Sequence, residues 1–228
     1  MAAASKTSHY VENIDIQSVL IEFNSKTEEQ IFFIQIGAND GTKDDAITKL
    51  IKRFGWKGVL VEPVLDYFMK LQVSFAGHDV YFENSAVTNH NGTQLIYRLA
   101  PTITDYPDWW DGLASLDKNI VLSHKEDIDN IENFLVPELI QTIKFNDLLL
   151  KYKVDYLHIL HIDTEGHDYD IIKMVNFAEI RPEIIIYEYQ HLTVRAYHQS
   201  IIFLKERGYV VYQSNNSYDL IAIESNLI

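Results

Sequence analysis

Apolar positions along the chain fall into short continuous runs separated by stretches with a helical period. The run Ile31, Phe32, Phe33, Ile34, Gln35, Ile36 has the character of a strand buried on both faces, as in a parallel sheet. After Gly41, the residues Thr42, Lys43, Asp44 and Asp45 read as a helix start, with a hydroxyl to cap and acids that suit the dipole. Ala46, Ile47, Leu50, Ile51 and Phe54 make one apolar face, and Gly55 supplies the stop. Val59 to Val61 form a second strand ending at Glu62 and Pro63, a helix follows from about Leu65 to Phe75, and a third strand runs from about Val80 to Val87. This βαβαβ order predicts a parallel sheet with helices on both faces.

The period changes at Asn91-Gly92, which lies between that third strand and Gln94 to Leu99 and reads as a hairpin turn. The third strand is therefore expected to gain an antiparallel neighbour. Residues 101–130 are rich in Asp, Trp and Tyr without a clean period. A structureless loop of such length inside a compact domain is usually functional, so this segment is read as a lid insertion. A surface insertion packing on itself around Trp109 and Trp110 is the competing reading. Residues 131–155 receive no element. Beyond them come a strand from Tyr156 to Asp163, a helix over about Asp168 to Phe177, and a strand from Glu183 to Tyr189. Val194, Tyr197, Ile201 and Leu204 mark the inner face of a last helix, which Gly208 ends. Tyr209 to Gln213 and Tyr218 to Glu224 are joined by Ser214 to Ser217, too short a link for a parallel crossover, so they form an antiparallel hairpin. Upstream of everything, residues 1–28 form an N-terminal extension in which Ile14, Ile16, Val19, Leu20 and Phe23 suit a short amphipathic helix.

At 228 residues and 47% hydrophobic content, one α/β domain spanning 1–228 is expected. No run approaches the roughly 18 consecutive apolar residues of a membrane span, and Met1 to Lys6 lack the apolar stretch of a secretory signal, so a cytoplasmic protein with no membrane partner is expected. Against 19 basic residues stand 33 acidic ones, a formal net charge of -14 that repels a phosphate backbone and argues against nucleic acid. With no cysteine, thiolate nucleophiles and cysteine-ligated zinc are excluded, which leaves histidine and carboxylate chemistry.

Ligands of open α/β sheets collect at the carboxyl ends of strands, where strand order reverses. Gln35, Ile36, Gly37, Ala38, Asn39, Asp40, Gly41 form such a strand-to-helix turn, with glycines for close backbone approach and an asparagine that tolerates positive φ. The following helix N-terminus would offer amides to a carboxylate. Glu62 can accept hydrogen bonds from both ribose hydroxyls of a nucleoside. A dinucleotide pattern G-x-G-x-x-G fails at Asn39 and again at Thr42, so a nicotinamide cofactor is disfavoured against S-adenosylmethionine. A purely structural glycine turn is the remaining alternative.

The strings IQIGANDGT (Ile34 to Thr42), VLVEP (Val59 to Pro63), ENSAV (Glu83 to Val87), LHIDTEGHDYDII (Leu160 to Ile172) and IIIYEYQHL (Ile184 to Leu192) follow one another over about 160 residues. In that order they resemble the FkbM family of S-adenosylmethionine-dependent methyltransferases. The resemblance implies a doubly wound, Rossmann-like class I methyltransferase sheet, mostly parallel with a C-terminal antiparallel hairpin. It also implies that Gly37, Ala38, Asn39, Asp40, Gly41, Glu62 and Pro63 contact the cofactor, that Asn84, Ser85 and Ala86 lie near adenine, and that Asp163 lies beside the sulfonium.

Methyl transfer from a sulfonium is an in-line displacement in which holding the acceptor dominates, and a hydroxyl acceptor also benefits from a base. His191, after the fifth strand, suits that role, with His167 assisting; each is also readable as an ordinary loop or surface histidine. Glu165 either orients substrate or the cofactor amine, or caps the helix beginning near Asp168. The alternation His161, Asp163, Glu165, His167 resembles a metal box, but Gly166 breaks its register; magnesium held through oxygens of Asp163 and Glu188 stays open as an alternative. The expected activity is O-methylation of a small-molecule or carrier-bound hydroxyl in a natural product, polyketide or sugar, the acceptor class coming from the resemblance. N-methylation and a non-catalytic binding domain are the competing readings. Whether the chain acts alone or as part of a larger synthase stays open.

Overall fold

A computed structural model describes residues 11–42, 45–100, 110, 112–215 and 218–228. Residues 1–10, Lys43 and Asp44 of the expected helix start, most of the first third of the expected lid with Trp109, and Asn216 and Ser217 of the last turn lie outside the described residues.

In chain order the strands are β1 Asn13–Ile14, β2 Phe32–Ile36, β3 Lys57–Val61, β4 Val80–Glu83, β5 Ala86–Thr88, β6 Gly92–Leu99, β7 Ala114–Ser115, β8 Leu135–Lys144, β9 Ile159–Ile162, β10 Ile184–Glu188, β11 Tyr209–Ser214 and β12 Asp219–Glu224. The α-helices are α1 Ile16–Lys26, α2 Thr48–Phe54, α3 Leu65–Ser74, α4 Lys118–Leu122, α5 Phe145–Tyr152, α6 Asp168–Met174 and α7 Val194–Lys205. Among the described residues the main sheet has the order β1-β11-β12-β10-β9-β2-β3-β4. β2, β3, β4, β9 and β10 run parallel, and β12 is antiparallel to both β10 and β11. The fold is thus the doubly wound α/β class with a reversed C-terminal hairpin. Strand order reverses between β2 and β9, which places the ligand crevice beyond Ile36 and Ile162.

Two apolar layers explain the continuous hydrophobic runs. Ile34, Ile36, Leu160, Ile162, Ile185 and Tyr187 face α5, α6 and α7, while Phe33, Leu60, Ile159, Ile184 and Ile186 face α1 and α2, and most of these side chains are fully shielded. A sheet covered on both faces requires apolar residues at successive positions rather than alternate ones. The N-terminal segment joins this body through α1, which buries Ile16 and Leu20, and through β1, which pairs with β11.

Three expectations about local structure change. First, α2 begins at Thr48 rather than Thr42. Asp40 Oδ1 accepts from both the backbone and the hydroxyl of Thr42, which holds a turn, and Asp45 Oδ1 accepts the amides of Ile47 and Thr48 at 2.8 and 2.6 Å. Short polar side chains bonding to nearby backbone compete with helix, and here they win at Thr42 and just before Thr48. Second, the run Val80 to Val87 breaks at Asn84-Ser85, because Asn84 Nδ2 turns back to the carbonyls of Glu62 and Pro63. Third, β5 and β6 are not hairpin partners. The unassigned stretch supplies β8, which lies between them, parallel to β5 and antiparallel to β6, in a smaller sheet of order β5-β8-β6-β7.

The described part of the 101–130 segment forms β7, α4 and a short 3-10 turn, and packs Leu113, Val121 and Ile128 with Leu99 and Ile131 in a small core of its own. It also borders the crevice at Gly112, Ala114 and Leu116. Among the described residues no helix is long and apolar enough to cross a membrane.

Candidate functional site

β2 is followed by Gly37, whose φ of +85° is ordinary only for glycine; a Cβ there would stand 1.8 Å from the Asp163 carbonyl oxygen. The glycine is therefore needed chiefly so that β2 and β9 can meet at the crevice. Their join is completed by the Asp163 amide, which donates to the Ile36 carbonyl at 2.9 Å. Asn39 follows with φ +49°, the left-handed conformation that asparagine tolerates.

That backbone path aims the Asn39 amide at Glu62. Glu62 Oε2 accepts from Asn39 at 2.9 Å, and Oε1 accepts from the amide of Val64 at 2.8 Å. The residue is 5% exposed, and burial pushes its carboxyl up to about 7 even though both amides favour the charged form. Each oxygen keeps a further lone pair, so the group can accept two more hydrogen bonds in a fixed orientation.

A cavity opens here at the carboxyl ends of β2 and β3. Gly37, Ala38, Asn39, Glu62, Pro63, Ser85, Ala86, Asp163, Glu165 and His167 line it, so most of the expected cofactor residues are brought together. Three are not. Asp40 spends its side chain on Thr42, Gly41 packs against Leu71 and Phe75 with its carbonyl held by Lys52, and Asn84 braces the ends of β3 from behind. Ile96, Gly112, Ala114 and Leu116 complete the wall and carry no chemical marker in the sequence, Gly112 lying against the Asn39 side chain.

Beyond β9 the chain makes a tight turn with positive φ at both Glu165 and Gly166. Asp168, fully buried, holds it by accepting from the amides of Thr164 and Gly166. Asp168, and not Glu165, is thus the residue that braces the start of α6. The Glu165 carboxylate instead points at His191, with Oε2 2.9 Å from Nε2. Glu188 Oε1 lies 3.9 Å from the same nitrogen. Burial and then the neighbouring charges of Glu165, Asp168, Asp219 and Asp45 push the Asp163 carboxyl well above the usual range. Glu188 is pushed up to about 11, by burial and then by Asp163 and Glu165. Among the described residues no lysine or arginine pairs with Asp163, Glu165 or Glu188. A crevice floored by carboxyls without a countercharge favours a cationic ligand.

A second, larger and more open cavity adjoins the first and shares Glu165, His167 and Leu116 with it. Its remaining wall mixes polar side chains such as Thr88, Asn89, Gln94 and Asp117 with apolar ones such as Ile120, Met174 and Leu192. His191 lines this second cavity and not the first. Its ring tilts against His124, centroids 5.5 Å apart, a neighbour that nothing in the sequence flagged. His167 lines both cavities. Its Nδ1 is 3.4 Å from Asp170, Nε2 is shielded from solvent without a hydrogen-bond partner, and burial lowers the pKa of the ring.

The family model described as the methyltransferase FkbM domain matches residues 35–211. No curated protein matches the chain. Among solved structures, the methyltransferase FkbM from Methylobacillus flagellatus KT aligns with a TM-score of 0.53 at 12% identity, covering 94% of this chain and 49% of that one. The chain therefore spans about half the length of that relative. The precorrin-6y C5,15-methyltransferase from Geobacter metallireducens GS-15 aligns with a TM-score of 0.43 at 11% identity, covering 95% and 92%. A SAM-dependent methyltransferase from Agrobacterium tumefaciens aligns at 0.41 and 7% identity, covering 92% and 61%.

Proposed function

We propose that this chain, which belongs to the FkbM family of methyltransferases, transfers a methyl group from S-adenosylmethionine to a hydroxyl of a small or carrier-bound acceptor. The observation that carries this reading is the join between two cavities: one built around Glu62 and floored by uncompensated carboxyls, the other larger and more open, with Glu165 and His167 in the shared wall.

The residues present fit the cofactor. Glu62, held rigid by two amides, has lone pairs left for the two ribose hydroxyls. Ser85, Ala86 and Ile96 form a slot suited to a flat base, and Asp163, whose carboxyl the neighbouring acids raise in the empty site, is the group that a sulfonium and an amine would draw back to its charged form. When bound, the cofactor supplies an electrophilic methyl group. The chain's part is to hold the acceptor oxygen in line from the larger cavity and to remove its proton. His167 borders both cavities, and burial keeps its ring neutral at physiological pH, so it can take that proton once Nε2, shielded in the ligand-free protein, turns toward the acceptor. His191, against Glu165 in the acceptor cavity, organises the acceptor side. In this assignment His167 takes the leading proton-accepting role that the sequence alone suggested for His191.

Calorimetry with S-adenosylhomocysteine, followed by transfer of labelled methyl to panels of hydroxyl and amine acceptors, tests the proposal. Binding together with label on hydroxyl acceptors is expected. Absence of nucleoside binding would end the proposal, label on amines alone would convert it to N-methylation, and tight binding without transfer to any acceptor would favour a binding domain.

A further inference from the structure

We propose that Glu165, Glu188 and His191 form a site for one divalent first-row cation, for which manganese(II) serves as the probe, in the wall between the cofactor and acceptor cavities. The site rests on adjacent strand ends. β9 and β10 run parallel side by side, so the turn after β9 and the last residue of β10 emerge together, and His191 follows three residues after Glu188.

One ligand atom from each of the three side chains lies within 4.8 Å of the others. The Nε2 of His191 is 2.9 Å from Glu165 Oε2 and 3.9 Å from Glu188 Oε1. Oxygen and nitrogen ligands about 2.1 Å from one ion stand about 3 Å apart at right angles and about 4.2 Å apart across it, so small rotamer changes bring the three onto a common centre.

A second observation points the same way. Glu188 Oε2 is sealed from solvent and has no hydrogen-bond partner, and the side chain as a whole is 12% exposed. Glu165 Oε2 is sealed as well and meets only the His191 ring. A single imidazole N–H at Nε2 cannot serve two carboxylates, and no lysine or arginine among the described residues does so. Buried carboxylates persist when paired or when coordinating a metal. Two carboxylates with one imidazole suit a first-row ion over calcium, which takes oxygen ligands alone, and the absence of thiolate disfavours the softer ions.

Three protein ligands leave coordination positions open. Glu165 and His191 both line the acceptor cavity, so a hydroxyl there can complete the shell. The cation then acidifies that hydroxyl, and the released proton passes to His167. This role rests on the methyltransferase reading, whereas the binding site does not.

Chelator-stripped protein titrated with manganese chloride, by calorimetry and by paramagnetic resonance of the free ion, tests the inference. One ion per chain is expected, bound at least tenfold more weakly by Glu188→Gln and by His191→Ala. Neither residue lines the cofactor cavity, so both variants should keep wild-type affinity for S-adenosylhomocysteine. A wild-type protein that binds no manganese overturns the site, and so does binding that both substitutions leave unchanged. Should Glu188→Gln fail to fold, as judged by a thermal melt, His191→Ala carries the test, since its ring borders open space. A protein that binds the nucleoside and no ion loses this inference alone; one that binds the ion and no nucleoside loses the methyltransferase reading alone.

Discussion

Glu62 and Glu188 both stand at the carboxyl ends of strands in one sheet and both are largely buried, yet their surroundings differ in kind. Glu62 receives a backbone amide on each oxygen. Glu188 receives no hydrogen bond among the described residues and faces Asp163 and Glu165 instead. Burial pushes the carboxyl of the first up to about 7 against the pull of its two amides, and burial joined by the charges of Asp163 and Glu165 pushes that of the second up to about 11. Backbone donors fix the Glu62 carboxyl in place before anything binds, which is what the proposed ribose cradle needs. Their absence leaves Glu188 without a partner, so under our proposals the first carboxyl is positioned by folding and the second by the cation it would bind.

The largest expected effect strikes the preformed end. Gly37→Ala would drive a Cβ into the Asp163 carbonyl at a φ that alanine avoids. Backbone blocks the way on the far side, so β2 and β9 must separate, and a loss of about 3 kcal/mol or more is expected in denaturant unfolding. A variant of wild-type stability would mean that the two strands are not locked together at this point. Next comes the acceptor side: His167→Ala should lower kcat about 100-fold, the usual cost of a general base, while nucleoside affinity changes less than threefold. Unchanged kcat would remove His167 from the chemistry. Glu62→Ala should weaken nucleoside binding about tenfold with kcat at saturation nearly unaltered, since charge-assisted bonds of ~1.5 to 3 kcal/mol are lost. If calorimetry returned wild-type affinity, the cradle would not hold the ribose.

The same contrast decides what was legible in the sequence. β2, β3, β9 and β10 showed themselves as apolar runs because both faces are covered, and Gly37, Asn39, Glu62 and Asp163 because glycine turns and strand-end acids are rare and positioned by the sheet. β8 stayed hidden. Its buried Ile140 and Thr142 alternate with exposed positions such as Leu139, Pro137 interrupts the pattern, and its partners lie about 40 to 55 residues away. The start of α2 was misread because Thr42 looks like a cap until Asp40 is seen to claim it. In the rest of the site's wall, Ile96, Ala114 and Leu116 do their work by shape, which leaves no residue-type signal. The pairing of Glu165 with His191 depends on a left-handed turn at a non-glycine residue, which no local pattern announces.

The smallest expected effect is also the one that most directly separates folding from binding at Glu62. With a folded pKa raised to about 7, the native protein keeps a proton on this carboxyl over a pH range in which the unfolded chain, near 4.5, has released it. Stability of the ligand-free protein therefore contains a contribution that is complete below pH 4.5 and is lost as pH rises through 7. Nucleoside binding has the opposite sign, because the ionised carboxylate accepts from both ribose hydroxyls and the protonated form must donate at one oxygen. A group titrating at about 7 is ionised roughly threefold more often at pH 7.5 than at pH 6.5, so affinity should rise by at most about threefold across that interval. Calorimetry and denaturant melts at the two pH values read both trends. Glu62→Ala should flatten the binding trend, and a wild-type affinity that falls with rising pH would show that the ribose is held by another group.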